Sequence, residues 1–380
     1  MTSPIVAVVG GGQLARMMAP VATELGLTLR VLVESPDAAA ALAAHQVVVG
    51  LPGDADAVAA LLADPRPIAL TWEHEHIPEA VFAAARDAGV PARPGLAALV
   101  FAQDKIAMRV RMNELGLPNP DWARADNADT ISRFLEVHGG EGVLKTARGG
   151  YDGKGVRIIS DASQAADWLA RRDGGGPDVL IEQKVAFTRE LAVLVARRPS
   201  GEVRTWPVVE SIQREGVCSE VIAPAPHLDE ALAARALGIG ERVATELGVV
   251  GVLAVEMFEA DGELVINELA MRPHNSGHWT MDGAVTGQFE QHLRAVADLP
   301  LGDTAPRAAW TVMANVLGGA RADLPSALAD VTDAGAKIHL YGKDVRPGRK
   351  VGHVNVSGDD ATSIYDRAVA AAAIVREGVK

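Results

Sequence analysis

The segment from Asn267 to Thr280 constrains this chain more than any other. An apolar run, Leu264-Val265-Ile266, delivers an amide and a carboxylate, Asn267 and Glu268, at its end. The chain then runs through Arg272-Pro273-His274-Asn275-Ser276-Gly277-His278-Trp279-Thr280, which mixes a cation, two imidazoles, an indole and two hydroxyls. A strand that ends in an ordinary surface loop has no use for so many hydrogen-bonding types. A loop that carries function does, and it needs a rigid scaffold behind it. The fold must therefore bring a strand end to the mouth of a site.

The strand before it strengthens that reading. Val252 to Phe258 and Leu264 to Glu268 form a hairpin about Asp261-Gly262, with Glu256 on one strand and Glu268 on the other. A two-residue turn sets Glu256 opposite Asn267; a loop one residue longer sets it opposite Glu268, on the same face. We expect the longer register. Two carboxylates plus Asn267 then suit magnesium, a hard cation that takes oxygen ligands and leaves positions for phosphates.

A second chemical signal lies upstream. Gly142-Val143-Leu144-Lys145 reads as a strand ending in a lysine, and Gly149-Gly150-Tyr151-Asp152-Gly153-Lys154-Gly155 follows before the next strand, Val156 to Ile159. Glycines at this density free backbone N–H groups to wrap a polyphosphate, and Lys154 adds a point charge. Strands flank the loop on both sides, so it is not a Walker loop opening a helix. Lys145 and Arg148 beside it argue against a plain hairpin turn.

The N-terminus reads as strand, glycine turn, helix, strand: Ile5 to Val9, then Gly10-Gly11-Gly12-Gln13-Leu14-Ala15, a helix to Leu25, and Leu29 to Val33 capped by Glu34. This fits the dinucleotide fingerprint G-x-G-x-x-A, although the same architecture also serves as a scaffold without a dinucleotide. Further strands, Val47 to Val49 and Ile68 to Leu70, lead to Thr71-Trp72-Glu73-His74-Glu75-His76. The two acids and two histidines could suggest a metal site, but residues at i and i+2 share a face only pairwise; a substrate-facing Glu73 is the better reading. The chain leaves this first region near Pro91 to Gly95, and a helix carrying Asp104, Lys105 and Arg109 follows. In the tail, Lys343, Arg346, Arg349 and Lys350 gather on a turn and look like an anion pocket in an otherwise acidic protein.

Whole-chain properties exclude several classes. Net charge is −13, which argues against nucleic acid as a partner. The single cysteine, Cys218, forms no internal disulfide and suits a reducing compartment. No apolar run approaches the roughly 20 residues a membrane span needs, and no basic signal region opens the chain. A cytoplasmic protein is expected. Aromatic residues make up only 4% of the chain, so Ala, Val and Leu must fill the cores.

These residues resemble the ATP-grasp ligases and, within them, the N5-carboxyaminoimidazole ribonucleotide synthetases of purine biosynthesis. Four segments carry the resemblance: Gly10 to Met17, Gly149 to Gly155, Asn267 to Thr280 continuing to Gln288-Phe289-Glu290, and Arg346 to His353. Formate-using transformylases of the same superfamily show Arg-Pro-His-Asp-Thr-Gly where this chain has Arg272 to Gly277. Ala15 in place of a glycine and Met271 in place of a proline depart from the family pattern. The resemblance implies α/β and α+β structure in an ATP-grasp architecture: a Rossmann-like N-terminal domain (1–100), an ATP-grasp domain (101–305) and a small C-terminal domain (306–380), usually as a homodimer.

It further implies ATP-dependent carboxylation of 5-aminoimidazole ribonucleotide with bicarbonate, through carboxyphosphate, with ADP and phosphate released and one or two magnesium ions bound. ATP would meet Lys105, Lys145, the loop Gly150-Tyr151-Asp152-Gly153-Lys154-Gly155, Glu182-Gln183-Lys184-Val185 at the adenine, Glu190 at the ribose, and Gln213. Glu256, Glu268 and Asn267 would hold magnesium. Arg272 would take the bicarbonate or carboxyphosphate oxygens, His274 and Asn275 would orient the acceptor, and Tyr151, Asp152 and Lys154 would bridge the substrates as the loop closes. Gln13, Glu73, Lys343, Arg349 and Lys350 would bind the ribonucleotide. Other readings stay open from the residues alone: transfer to a different amine, an NAD-dependent oxidoreductase built on the Gly10 turn, and a nucleotide-binding module without turnover.

Overall fold

The computed structural model describes residues 3–150, 155–214 and 216–378. Among these, strands assemble into three sheets. The first is parallel, built from β1 (Ile5–Val9), β2 (Thr28–Val33), β3 (Gln46–Val49) and β4 (Ala69–Trp72) in the order β3-β2-β1-β4. β1 is buried along its whole length and reads as an unbroken apolar run, as a strand covered on both faces must. The chain order reverses between β1 and β4. Open parallel sheets bind ligands at the carboxyl ends of strands flanking such a reversal. The Gly10 turn follows β1 and the Glu73–His76 run follows β4, so both open at that crevice.

The second sheet is small and antiparallel: β5 (Trp122–Arg124), β6 (Gly142–Thr146), β7 (Val156–Ile159) and β8 (Val179–Gln183), in the order β5-β8-β6-β7. The third is large and antiparallel. It comprises β9 (Arg189–Arg197), β10 (Val203–Thr205), β11 (Val209–Arg214), β12 (Val217–Ala223), β13 (Gly251–Ala260), β14 (Glu263–Ala270), β15 (Trp310–Leu317), β16 (Lys337–Leu340) and β17 (Lys350–Gly358). Its order is β14-β13-β9-β11-β12-β15-β17-β16, with β10 paired to β9. The tail strands therefore extend the central sheet directly. Helix Ala361–Glu377 packs its Ile364, Ala368, Ala371 and Val375 on that extension; an alanine-rich face lets it approach closely.

The helix read as carrying Asp104, Lys105 and Arg109 is two helices, Leu96–Gln103 and Lys105–Glu114. Asp104 takes extended backbone angles and its carboxylate accepts from the Ala107 N–H at 3.0 Å, so it N-caps the second helix. The break aims Lys105 and Arg109 toward the two antiparallel sheets. His292, fully buried on helix Gln288–Val296, fastens the first sheet to the third. Its Nδ1 accepts from the Val252 N–H at 3.1 Å, which leaves Nε2–H to donate to Thr71 Oγ1 at 2.9 Å.

Candidate active site

The hairpin of β13 and β14 brings the acids together, though not by the expected route. The turn is two residues, Asp261 and Gly262, both at positive φ, as a tight hairpin turn matching the strand twist requires. Pairing then runs Ala260 with Glu263 down to Met257 with Ile266, and slips by one residue so that Glu256 faces Glu268. The extra residue is Asn267, in a β-bulge. The register is the expected one; its cause is a bulge inside the strand and not a longer loop.

Glu190 joins the same face. β9 sets Ala192 opposite Glu256 and Glu190 two residues along, and β11 sets Ser211 opposite Glu190. Gln213 Nε2 donates to Ser211 Oγ at 3.1 Å. Burial, then the charges of Glu268 and Glu190, pushes Glu256 up to about 8. Burial pushes Glu190 up to about 7. Carboxyls raised this far are crowded together and partly removed from water, and the cations nearby offset only part of the cost. Among the described residues no group of three or more His, Cys, Asp or Glu is spaced to hold a cation by itself. Two facing carboxylates do fit magnesium, which keeps waters and substrate phosphates among its ligands.

Cations line the other side. Lys145, at the end of β6, stands 2.8 Å from Glu182 Oε2 and donates to Asn267 Oδ1 at 3.4 Å. Lys105 lies 3.9 Å from Glu268. Burial lowers the Lys145 pKa, and Glu182 works against that. Burial alone would raise Glu182, but Lys145 and Arg109 bring it below the usual carboxylate range. The Glu182 carboxylate is thus committed to two cations, which leaves only the backbone from Glu182 to Val185 for the adenine contact expected from the sequence. Lys184 turns to Glu141 at 2.8 Å on the surface. Gly150 and Gly155 both take positive φ, and a Cβ on Gly155 would lie 2.6 Å from Thr146 Oγ1. Tyr151, Asp152, Gly153 and Lys154 lie outside the described residues.

The Arg272–Thr280 segment closes the pocket. Arg272 Nε donates to Glu75 Oε2 at 2.8 Å; burial opposes its charge, and Glu75 outweighs that. His274 accepts at Nδ1 from Ser276, with Oγ at 2.9 Å, and its Nε2 stands 3.8 Å from Glu256 Oε1. Burial, then Arg272 and Lys350, drives His274 well below the usual imidazole value. The Asn275 side-chain amide nitrogen is buried and finds no hydrogen-bond partner among the described residues. Gln288 clamps the segment: it accepts from the His274 N–H at 2.8 Å and donates to its carbonyl at 2.9 Å and to His278 Nδ1 at 2.8 Å.

His278 in turn stacks on His353 with ring centres 4.8 Å apart, and His353 stacks on His339 at 4.6 Å. Asn355 donates to the His278 carbonyl at 3.0 Å. The tail strands thus hold the loop from behind. Burial holds both His278 and His292 down at about 3, from a usual 6.5. Neutral forms are then favoured in the folded state, so stability is full above pH 6.5 and falls as the unfolded chain takes up protons below it. Each histidine is expected to cost about 2 kcal/mol at pH 5 relative to pH 7. Denaturant melts at the two pH values check this, with His292→Gln reducing the difference.

The glycine turn differs from expectation. Glu73 accepts from the backbone N–H groups of Gly12, Leu14 (3.2 Å) and Ala15 (3.3 Å). Its carboxylate fills the anion seat at the N-terminus of helix Gln13–Glu24, so no pyrophosphate rests there. A Cβ on Gly12 would fall 2.3 Å from that carboxylate. An anion entering here would have to displace Glu73. Lys343 donates to the Gln13 side-chain oxygen, which brings the tail to the crevice. The tail cations make different contacts. Arg349 donates to the Asp344 carbonyl at 3.2 Å on the surface, whereas Lys350 lies close enough to Glu256, His274 and His278 to shift their protonation. Glu75, Arg109 and Gln288 carry roles in this site that the sequence reading did not assign.

One surface thus joins Lys145, a facing acid pair and the Arg272–Thr280 loop. A family model for the ATP-grasp domain matches residues 110–289, one for the ribonucleotide synthetase preATP-grasp domain matches 4–103, and one for the phosphoribosylaminoimidazole carboxylase C-terminal domain matches 311–367. The N5-carboxyaminoimidazole ribonucleotide synthase of Corynebacterium ammoniagenes is 50% identical over 367 residues, 94% of this chain and 88% of that protein. The chain belongs to this family. The N5-carboxyaminoimidazole ribonucleotide synthetase of Thermus thermophilus superposes with a TM-score of 0.86 at 36% identity, over 98% of this chain and 99% of that one. The Aspergillus clavatus N5-carboxyaminoimidazole synthase, solved with ADP and 5-aminoimidazole ribonucleotide, superposes with a TM-score of 0.87 at 28% identity, over 98% of this chain and 99% of that one.

Proposed function

We propose that this chain is an ATP-dependent ligase that carboxylates 5-aminoimidazole ribonucleotide with bicarbonate, releasing ADP and phosphate. The observation that supports it most is the 3.8 Å approach of His274 to Glu256, whose neighbour across the hairpin is Glu268. It sets phosphate chemistry and acceptor chemistry side by side. Bicarbonate is a poor electrophile, so ATP must first convert it to carboxyphosphate. That transfer needs positioning and charge neutralisation more than covalent help. Magnesium held by Glu256, Glu268 and Asn267 would supply part of the neutralisation. Lys105 and Lys145 supply the protein's part, and the Gly149–Gly155 loop excludes water from carboxyphosphate. The Arg272 fork, held by Glu75, takes the bicarbonate oxygens.

His274 is neutral in this pocket, with its Nδ1 acceptor engaged by Ser276. Its Nε2–H therefore faces the reacting groups as a donor, and Asn275 offers a further buried donor beside it. Lys343 and Gln13 meet the ribonucleotide at the crevice, and Lys350 lends its charge nearer the acid pair. We take residues 1–100, 101–305 and 306–380 as the three working parts, acting as a cytoplasmic homodimer. Among the described residues no helix is long and apolar enough to cross a membrane. ADP release is expected to need the aminoimidazole ribonucleotide and to rise with bicarbonate. Release indifferent to bicarbonate would overturn the reaction assigned. Lys343→Ala should raise the ribonucleotide Michaelis constant about tenfold, and an effect on ATP alone would misplace the tail.

A further inference from the structure

The geometry points to Arg109 as the positioning residue that sets the register of the acid pair and ties it to Lys145. Arg109 is 1% exposed. Its five N–H donors each have an acceptor. Nε and Nη2 donate to the two Glu182 oxygens at 2.8 and 3.2 Å, Nη1 donates to Asn119 Oδ1 and the Ile266 carbonyl, both at 2.8 Å, and Nη2 also donates to the Asn267 carbonyl at 2.8 Å. Along a regular strand consecutive carbonyls point toward opposite edges. Two adjacent ones reach a single guanidinium only where the pleat is interrupted. Ile266 and Asn267 are the residues at which the hairpin slips.

The same fork therefore grips the bulge on β14 and, through Glu182 on β8, the partner of Lys145. Among the described residues β14 is the outer strand of its sheet, so no further ladder there fixes this edge. Pro118 accepts from the Ile266 N–H at 3.0 Å, and Arg109 holds the rest. Without the bulge the two-residue turn would carry Asn267, not Glu268, to face Glu256. Arg109 touches no reacting atom; it acts by placing those that do.

This rests on the acid pair and Lys145 meeting magnesium and nucleotide phosphate. The test compares Arg109→Lys with the unaltered chain by calorimetric titration of magnesium with ADP and, separately, of the aminoimidazole ribonucleotide. Lysine keeps the charge but cannot fork. Magnesium–ADP affinity is expected to fall about 10- to 100-fold, with ribonucleotide affinity within about twofold. A parallel loss of both affinities, or neither changing, overturns the assignment. Should that variant fail to fold, Asn119→Ala loosens the fork more gently and should weaken magnesium–ADP binding about threefold or more at nearly unchanged melting temperature; unaltered binding overturns it. Failure of the carboxylation reading would appear in the unaltered protein, as ADP release that ignores bicarbonate, and leaves this comparison readable.

Discussion

Arg272→Lys is expected to lower turnover by about 100- to 1,000-fold while the ATP Michaelis constant moves by less than about threefold. The guanidinium is planar and forks. Glu75 holds its Nε at 2.8 Å and the Pro273 carbonyl accepts from Nη1 at 3.2 Å, so the plane of the fork is fixed, and its charge lies close enough to Glu256 and His274 to act on both. A lysine ammonium pairs with Glu75 or with the bicarbonate oxygens, but it cannot span both in one plane. On the proposed reaction the lost interaction strengthens as carboxyphosphate forms, so the loss is expected in turnover and not in ATP binding. Steady-state ADP release at saturating ribonucleotide, with ATP and bicarbonate each varied, separates the two. Unchanged turnover would remove Arg272 from the chemistry. Glu75→Gln should reproduce a smaller part of the same loss, because it loosens the anchor without removing the fork.

Glu182→Ala should destabilise the ATP-grasp region by about 3–5 kcal/mol. The carboxylate is buried between Arg109 and Lys145, so its removal strands two cations in a dry interior. Glu182→Gln keeps the shape and some hydrogen bonds and is expected to cost less. Chemical denaturation followed by tryptophan fluorescence measures both, Trp122 being paired directly opposite Glu182 on β5. A midpoint unchanged in Glu182→Ala would mean that the ion cluster holds nothing in place.

The local elements were legible because their signals are local. The unbroken apolar run of β1, the glycine turn after it and the Asp261-Gly262 hairpin each declare themselves within a few residues. The facing of Glu256 and Glu268 was legible too, but its cause was not. A bulge is chosen by whatever grips the strand edge, and here that is Arg109, distant in sequence and on a helix. Glu73 illustrates the same limit. Its residue type fits a substrate contact, yet its carboxylate caps a helix that begins at Gln13, and only the sheet order brings the two together. Glu75 and Gln288 were missed for the same reason: each is an ordinary polar residue whose role comes from a partner across the fold. The Arg272–Thr280 run was easier, because its polar groups are concentrated in contiguous residues.

Because β15 pairs with β12 along Thr311 to Ala314, the C-terminal fifth is no detachable accessory. A chain ending before Trp310 would present a naked β-edge to its neighbours, inviting self-association. It would also strip the imidazole ladder that props the Arg272–Thr280 loop from beneath. Shortened versions and fusion points in this protein are therefore better placed beyond Glu377 than anywhere inside the sheet.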